Sequence, residues 1–421
     1  MTGPEASATA LRCRFCGAAL DEAVLDLGLS PLSNALVDGS RLDRADELYP
    51  LRAYVCSKCW LMQVPEVVSR EQIFSEYAYF SSYSTSWLEH VRRYADQMTA
   101  QLALGPADLV VEVASNDGHL LRCFQKRGVR VLGVEPAKNV AAEAVASGIP
   151  TLPEFFGTAL AGAMRTAGTN ADLIVCNNVL AHVPDVNDFV AGLATLLKPA
   201  GTITLEFPHL LRMLEGGEFD TIYHEHYSYF SLMTASRIFA AHGLTVSDVD
   251  ELPTHGGSLR VHVQHAAAAK PSARVASLLA HERAAGLGSL AVYKAFGART
   301  RDVRGRILAF VEGLVGTGMR LAGYGAPAKA TTILNYCGIG TDIIEYTVDR
   351  SPHKQGRFIP GVRVPVFAPE EIFERKPDVV VVFPWNILAE ITAQMRGIAR
   401  WNGRFATLIP EPQLLAESAL T

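Results

Sequence analysis

Between residues 108 and 264 short apolar runs alternate with stretches of helical periodicity, and that alternation restricts the chain to a mostly parallel sheet covered on both faces. The runs 108–113, 129–134, 149–152, 172–176 and 201–207 read as strands, with helices over 119–128, 139–147, 158–166 and 189–197 between them. Ser231 is placed to cap a helix over 232–242, which Gly243 stops. The runs 244–249 and 258–264 follow in tandem, so they form a hairpin closing one edge. Upstream, Trp87, Val91, Tyr94, Met98 and Leu102 give a helix over 86–104.

Such a sheet works at the carboxyl ends of its strands, near the point where strand order reverses. The segment Glu112, Val113, Ala114, Ser115, Asn116, Asp117, Gly118 leaves the first strand and opens a helix, so its N–H groups and the helix dipole suit an anion. Glu135, followed by Pro136, ends the second strand, where a carboxylate can accept from both hydroxyls of a ribose; alone, it is equally a solvated loop charge. The first loop lacks GxGxxG, which disfavours a dinucleotide pyrophosphate and favours a carboxylate as the anion. Asn177 and Asn178 end the fourth strand.

Two CxxC pairs, Cys13/Cys16 and Cys56/Cys59, precede this region. Two such knuckles make a closed tetrahedral thiolate cage, the geometry of structural zinc. A thioredoxin-like redox pair is the alternative, but that motif occurs once and follows a strand. Cys123, Cys176 and Cys337 are isolated and read as small buried hydrophobes. Seven cysteines, an odd count, fit a reducing cytoplasm better than a disulfide framework. The first ten residues lack the pattern of a secretory leader, and no apolar run reaches membrane-spanning length, so no membrane partner is expected. Net charge is -5 with scattered Lys and Arg, which argues against nucleic acid. A chain of 421 residues accommodates two or three domains: a zinc module over 1–75, an α/β domain over 76–266 and a second α/β domain over 267–421. Nothing in the sequence fixes the oligomeric state; a monomer is the expectation.

Residues 221–231 concentrate Tyr223, His224, Glu225, His226, Tyr227 and Tyr229, a set suited to moving protons. A hydrogen-bonded structural turn and a His-x-His metal site are the competing explanations. In a turn His224 and His226 face different ways; in a strand they share a face. The segment 72–84, with Tyr77 and Tyr79, is either packed against a neighbour or a lid touching substrate.

In the last third, 272–314 is mainly helical. Strands over 320–323, 343–348 (ending at Asp349) and 379–383 (ending in Pro384, Trp385, Asn386) give a second, smaller sheet. Between its first strand and a helix over 330–336 lies a loop with Gly323, Gly325, Ala326 and Lys329. Its amides can cradle a phosphate, with Lys329 neutralising charge. His353, Lys354 and Arg357 are phosphate neighbours or a solvated basic loop.

The loop 112–118, Gly133-Val-Glu-Pro136, Asn177-Asn-Val-Leu-Ala-His-Val183 and Lys198-Pro-Ala-Gly201 resemble the successive motifs of class I S-adenosylmethionine-dependent methyltransferases. Ala114 and Asn116 stand where the first two glycines of the usual loop lie, and Gly118 is kept. This altered loop, the four cysteines and Tyr223-His-Glu-His-Tyr-Ser-Tyr-Phe230 together resemble one subfamily. It comprises the C-methyltransferases that branch nucleotide-linked 4-keto deoxysugars in antibiotic pathways. The likeness spans the chain, including Thr254-His-Gly-Gly-Ser-Leu-Arg260 and Gly323-Tyr-Gly-Ala-Pro-Ala-Lys329.

The resemblance implies a class I methyltransferase fold between a zinc module and a smaller Rossmann-like domain. It implies S-adenosylmethionine held by Glu112, Ala114, Asn116, Gly118, Glu135, Pro136, Asn177 and Asn178, and structural zinc on the four cysteines. The substrate would be a dTDP-linked 4-keto deoxysugar touching His255, Arg260, Gly325, Ala326, Lys329, Asp349 and Asn386. Methyl transfer to carbon needs a carbon nucleophile, which proton loss beside a ketone supplies. His226 would be the base, oriented or assisted by Glu225. Tyr223, His182 and Tyr77 or Tyr79 would donate to the ketone oxygen. C3 is favoured over C5. An O- or N-methyltransferase, a non-catalytic nucleotide-sugar binder and a His-x-His metalloenzyme are the alternatives.

Overall fold

The computed structural model describes residues 11–74 and 85–416, so Tyr77 and Tyr79 lie outside the described residues. The N-terminal module contains β1 (Ala23–Ser30), β2 (Val37–Asp38), β3 (Tyr49–Val55) and β4 (Met62–Gln63), followed by the short α1 (Arg70–Phe74). Strands β1, β3 and β4 pair antiparallel.

The central domain runs α2 (Thr85–Gln101), β5 (Leu109–Val113), α3 (His119–Gln125), β6 (Arg130–Val134), α4 (Lys138–Ala146), β7 (Thr151–Leu152), α5 (Thr158–Thr166) and β8 (Ala171–Asn177). It continues with α6 (Val186–Leu196), β9 (Leu197–Pro208), α7 (Leu210–Gly216), β10 (Ser228–Tyr229), α8 (Leu232–Ala241), β11 (Leu244–Leu252) and β12 (Ser258–His265). Seven of these strands form one sheet in the order β11-β12-β9-β8-β5-β6-β7. Its β7-to-β9 part is parallel, and the β11–β12 hairpin joins antiparallel at β9, as the tandem runs required. Helices cover both faces, so β5 is buried along its whole length and its apolar sequence is continuous rather than alternating. Strand order reverses beside β5, which places the loop 112–118 and the end of β8 at the crevice.

Most boundaries match the sequence periodicity. Helix α6 starts earlier than its apolar stripe, at Val186, because the Asp185 side chain caps the N–H of Asp188. Ser231 caps α8 as expected, accepting from Thr234.

The C-terminal part contains α9 (Ala273–Ala284), α10 (Leu290–Gly316), β13 (Leu321–Tyr324), α11 (Ala328–Cys337), β14 (Ile344–Val348), β15 (Arg357–Phe358), β16 (Val366–Phe367), α12 (Glu371–Arg375), β17 (Val379–Val382), α13 (Leu388–Met395), β18 (Arg404–Thr407) and β19 (Gln413–Leu414). Its six-stranded sheet has the order β16-β14-β13-β17-β18-β19. Helix α11 begins at Ala328, directly behind Pro327, whose missing N–H is harmless at a helix start.

The three parts interlock. Strand β10, far along the chain, pairs with β4 of the N-terminal module, and β15 pairs with β2. Glu282 of α9 is fully buried, accepts from the N–H groups of Leu232 and Met233 at the start of α8, and pairs with His209 at 2.7 Å.

Candidate active site

A cavity of about 1070 Å³ opens at the carboxyl ends of β5, β6 and β8 and extends to α11, α13 and the loop after β17. It exceeds the usual size of a single-ligand pocket and can hold a cofactor and a substrate together.

At the β5 end the backbone of Ala114, Asn116 and Gly118 is left-handed, with φ of 58°, 48° and 72°. Ala114 and Asn116 therefore keep the conformation for which glycine is the usual choice, against the strain a Cβ brings there. Only at Gly118 is a side chain also sterically excluded, since a Cβ would sit 2.9 Å from Ile149. Glu135 accepts from the N–H of Asn116 at 3.0 Å and of Ala137 at 2.9 Å, so its carboxylate braces the loop. A carboxylate has capacity beyond two such bonds for ribose hydroxyls. Burial raises the pKa of Glu135, and raises that of Glu112 well above the usual range, with Asp117 and Glu135 adding repulsion. The Asn177 amide oxygen and nitrogen, a Glu112 carboxyl oxygen and the Ser115 hydroxyl are buried at the cavity without a protein partner. Such a set suits a polar ligand, and adenosine with an amino-acid tail offers partners for it. Pro136 and Asn178 line the same end, Asn178 with φ of 54°.

Residues 223–226 form a turn closed by the His226 N–H on the Tyr223 carbonyl at 3.0 Å. The turn sends the two histidines apart. His224 is buried beneath the N-terminal module, 3.3 Å from the Pro50 carbonyl and edge-on to Tyr49. His226 faces the cavity. Its Nδ1–H donates to the Thr221 carbonyl at 3.0 Å, which leaves Nε2 as the acceptor, and Nε2 receives the Tyr223 hydroxyl at 2.6 Å. Burial holds the His226 pKa well below its usual value, and His182, stacked edge-on at 4.8 Å, adds to this.

Two expected roles change. Glu225 does not orient His226: its buried carboxylate turns to Asn34 of the N-terminal module, at 2.5 Å from the amide nitrogen and 3.2 Å from the backbone N–H. The reversal of direction within the turn separates the adjacent side chains. Burial lifts the Glu225 carboxyl to about 7. His182 donates through Nδ1 to the Glu225 carbonyl at 2.9 Å, so Nε2 of this tautomer accepts and cannot donate to a ketone oxygen. Its pKa is pushed down to about 4 by burial, which keeps it neutral.

The glycine loop after β13 also differs from expectation. The N–H of Gly325 donates to Val348 at 2.6 Å and that of Ala326 to Asp349 Oδ2 at 2.8 Å, so neither amide cradles a phosphate. Asp349, at the end of the neighbouring strand β14, reaches across to brace this loop much as Glu135 braces the first. Lys354, from the segment after β14, donates to the Ala326 carbonyl at 2.9 Å and lies 3.5 Å from Asp349, with Arg350 also in the cavity wall. Lys329 points elsewhere, over the Trp385 ring at 4.1 Å and 3.4 Å from the Asn386 side-chain oxygen. His255, with φ of 56°, lines the cavity near it and is held neutral by burial, its pKa lowered to about 4.

The sulfurs of Cys13 and Cys59 are 3.4 Å apart, those of Cys16 and Cys56 3.5 Å, and all four lie within 4.8 Å of one another. Tetrahedral zinc with bonds of about 2.3 Å spaces its sulfurs by about 3.8 Å, so the four thiolates fit the ion with no position left open.

Three family models match the chain in sequence: "Putative zinc binding domain" over residues 13–74, "Methyltransferase domain" over 87–249 and "C-methyltransferase C-terminal domain" over 253–410. The C-methyltransferase NovU of Streptomyces niveus is 37% identical over 412 residues, covering 97% of this chain and 98% of that protein. The chain belongs to this C-methyltransferase family. Among solved structures, magnesium protoporphyrin IX methyltransferase from Synechocystis aligns with a TM-score of 0.34 and 15% identity, over 47% of this chain and 98% of that one. The 1,6-didemethyltoxoflavin-N1-methyltransferase of Burkholderia thailandensis aligns with a TM-score of 0.35 and 18% identity, over 49% and 95%.

As a member of this family the enzyme takes its methyl group from S-adenosylmethionine and carries zinc on its four cysteines. No helix among the described residues is long and apolar enough to cross a membrane.

The C-methyltransferase cavity has walls that the motifs did not flag. Glu206 of β9 is buried between Arg260, its cross-strand neighbour on β12, at 2.8 Å, and His90 of α2 at 2.9 Å. Arg260, expected to touch substrate, is thus neutralised by Glu206, with its guanidinium over Tyr94 at 4.5 Å. Glu206 and Arg260, an acid and a base inside two expected strands, were the available signal. Asn34 had none, since its partner lies 191 residues away.

Proposed function

We propose that the enzyme methylates the carbon beside the ketone of a dTDP-linked 4-keto deoxysugar, C3 in preference to C5. The observation that carries this reading is the neutral His226, fixed by Thr221 in the tautomer with a basic Nε2, facing a cavity built by both α/β domains. The Nε2 lone pair takes the proton from the carbon once the Tyr223 hydroxyl turns to the ketone oxygen. The hydroxyl then changes acceptor as negative charge develops there. S-adenosylmethionine supplies an electrophilic methyl group at the resulting carbon nucleophile. Glu225 acts at one remove, fastening the turn to Asn34 and holding His182 through its carbonyl. On the C-terminal side the diphosphate rests against Lys354 and Arg350 near the start of α11. Thiolate ligands and this metabolite class support a cytoplasmic location.

The test is mass spectrometry after incubation with labelled S-adenosylmethionine and a panel of dTDP-4-keto deoxysugars. A labelled methyl on carbon is expected. Exchange of the neighbouring C–H with deuterium oxide, without the methyl donor, separates this reaction from O- or N-methylation, which needs no such exchange. Methyl transfer to oxygen or nitrogen, or none to any nucleotide sugar, would overturn the reading.

A further inference from the structure

The proton-transfer chemistry above leaves unused a buried charge cluster beside the turn at 223–226. Glu218 and Asp220, in the segment leading to the catalytic turn, are both buried. Asp220 accepts the Trp385 indole N–H through Oδ2 at 2.8 Å, while its Oδ1 has no partner. Lys329 lies over that same indole. We propose that Lys329 is the cation that meets the ketone oxygen as it becomes an enolate, an assignment that rests on the nucleotide-sugar reading of the site.

Three observations place it there. Thr332, one turn after Lys329 on α11, donates to the Ile222 carbonyl at 3.1 Å, so this face of α11 packs on the backbone next to Tyr223. Lys329, Tyr223, His226 and His255 line one cavity, and the Lys329 charge lowers the pKa of both His226 and His255. The ammonium has three donors, and its one hydrogen bond among the described residues is the long one to Asn386. Neither Glu218 nor Asp220 forms a direct ion pair with it; they act through space, and burial itself lowers its pKa. A cation held in place by an indole and two nearby acids, with donors to spare, suits an oxygen that gains charge only during reaction. The diphosphate is left to Lys354 and Arg350.

The step balances without a further reagent. The C–H bond breaks and its proton goes to His226 Nε2. The electron pair forms the carbon–carbon double bond, and the carbonyl pair moves to oxygen. Lys329 donates a hydrogen bond to that oxygen and keeps its proton. When the carbon takes the methyl group, the carbonyl re-forms and the methyl–sulfur pair leaves with sulfur.

The experiment measures deuterium exchange beside the ketone of a dTDP-4-keto deoxysugar without the methyl donor, together with calorimetric affinities for dTDP and S-adenosylhomocysteine. Lys329→Met should slow exchange at saturating sugar by about 10²–10³-fold. Both affinities should stay within about threefold of the wild type, which also reports an intact fold. Lys329→Gln, a donor without charge, should be nearly as slow; recovery to within about threefold of the wild-type rate overturns the assignment. So does a Lys329→Met enzyme whose dTDP affinity falls about tenfold or more while exchange at saturation is unchanged. Absence of exchange in the wild type, with every nucleotide sugar tried, refutes the nucleotide-sugar reading and takes this proposal with it.

Discussion

At the scale of single residues the turn at 223–226 sends histidines two positions apart into different surroundings, His224 to Pro50 and His226 to the cavity. His226→Asn should lower exchange and methyl transfer by about 10²–10⁴-fold, the usual contribution of a general base. His224→Asn should retain activity within about tenfold and instead lower stability, by roughly 1–3 kcal/mol for a buried polar replacement. The reverse pattern, read from steady-state rates and denaturant midpoints, would remove His226 from the mechanism. The pH profile supplies a second check. With its pKa held well below the usual value, His226 is already neutral around pH 7, so its own titration should add no rise in the exchange rate there. If Glu225 were the base, the rate would climb through about 7. Glu225 also carries a stability signature. Its folded pKa is raised above the unfolded value, so its contribution is full below the unfolded pKa and is lost as pH rises through about 7. Glu225→Gln should therefore be more stable than the wild type at about pH 8 but not at about pH 5, by at most about 3 kcal/mol at the higher pH. Denaturant titrations at the two pH values decide it; equal differences at both would show that burial of this carboxylate does not govern its titration.

At the scale of elements the cofactor loop separates conformation from space. Ala114→Gly relieves a left-handed alanine while adding chain entropy, so stability and S-adenosylhomocysteine affinity should stay within about 1 kcal/mol of the wild type. Gly118→Ala faces φ of 72° and the Ile149 side chain at 2.9 Å, and should lose about 1–3 kcal/mol along with cofactor affinity. A Gly118→Ala enzyme binding S-adenosylhomocysteine normally would show that the loop shifts without penalty. This contrast marks what was legible beforehand. The strands were, because a parallel sheet buried on both faces must be written in continuous apolar runs. The first loop was, because its place between strand and helix is local. The second loop's amides were misjudged because their acceptors, Val348 and Asp349, belong to a different strand. The direction of Glu225 was hidden for the same reason, since the residue that decides it comes from the N-terminal module.

At the scale of the whole molecule, all three parts of the chain fasten the segment 220–229. The N-terminal module pairs β4 with β10, holds His224 at Pro50 and Glu225 at Asn34. The central domain anchors Tyr227 to the Ala181 carbonyl and joins His182 to Glu225. The C-terminal domain bonds Ile222 through Thr332 and Asp220 through Trp385. The geometry of His226 is thus fixed by contacts that no single domain possesses, and loss of any one should misplace this side chain without dismantling the methyltransferase sheet. Zinc is the sharpest handle on this coupling. The cage closes the Cys56–Cys59 knuckle, after which β4 begins at Met62, and a structural zinc contributes about 10–16 kcal/mol of binding to the fold of its module. Chelation, or Cys56→Ser, should lower the melting temperature. It should also slow deuterium exchange at saturating sugar by about tenfold or more, because a displacement of about 1 Å at a reacting group has effects of that order. S-adenosylhomocysteine affinity should change far less, since Glu135 and the loop 112–118 brace each other within the central sheet. Parallel loss of cofactor affinity and exchange would mean instead that the zinc module supports the entire fold and has no separate hold on the catalytic turn.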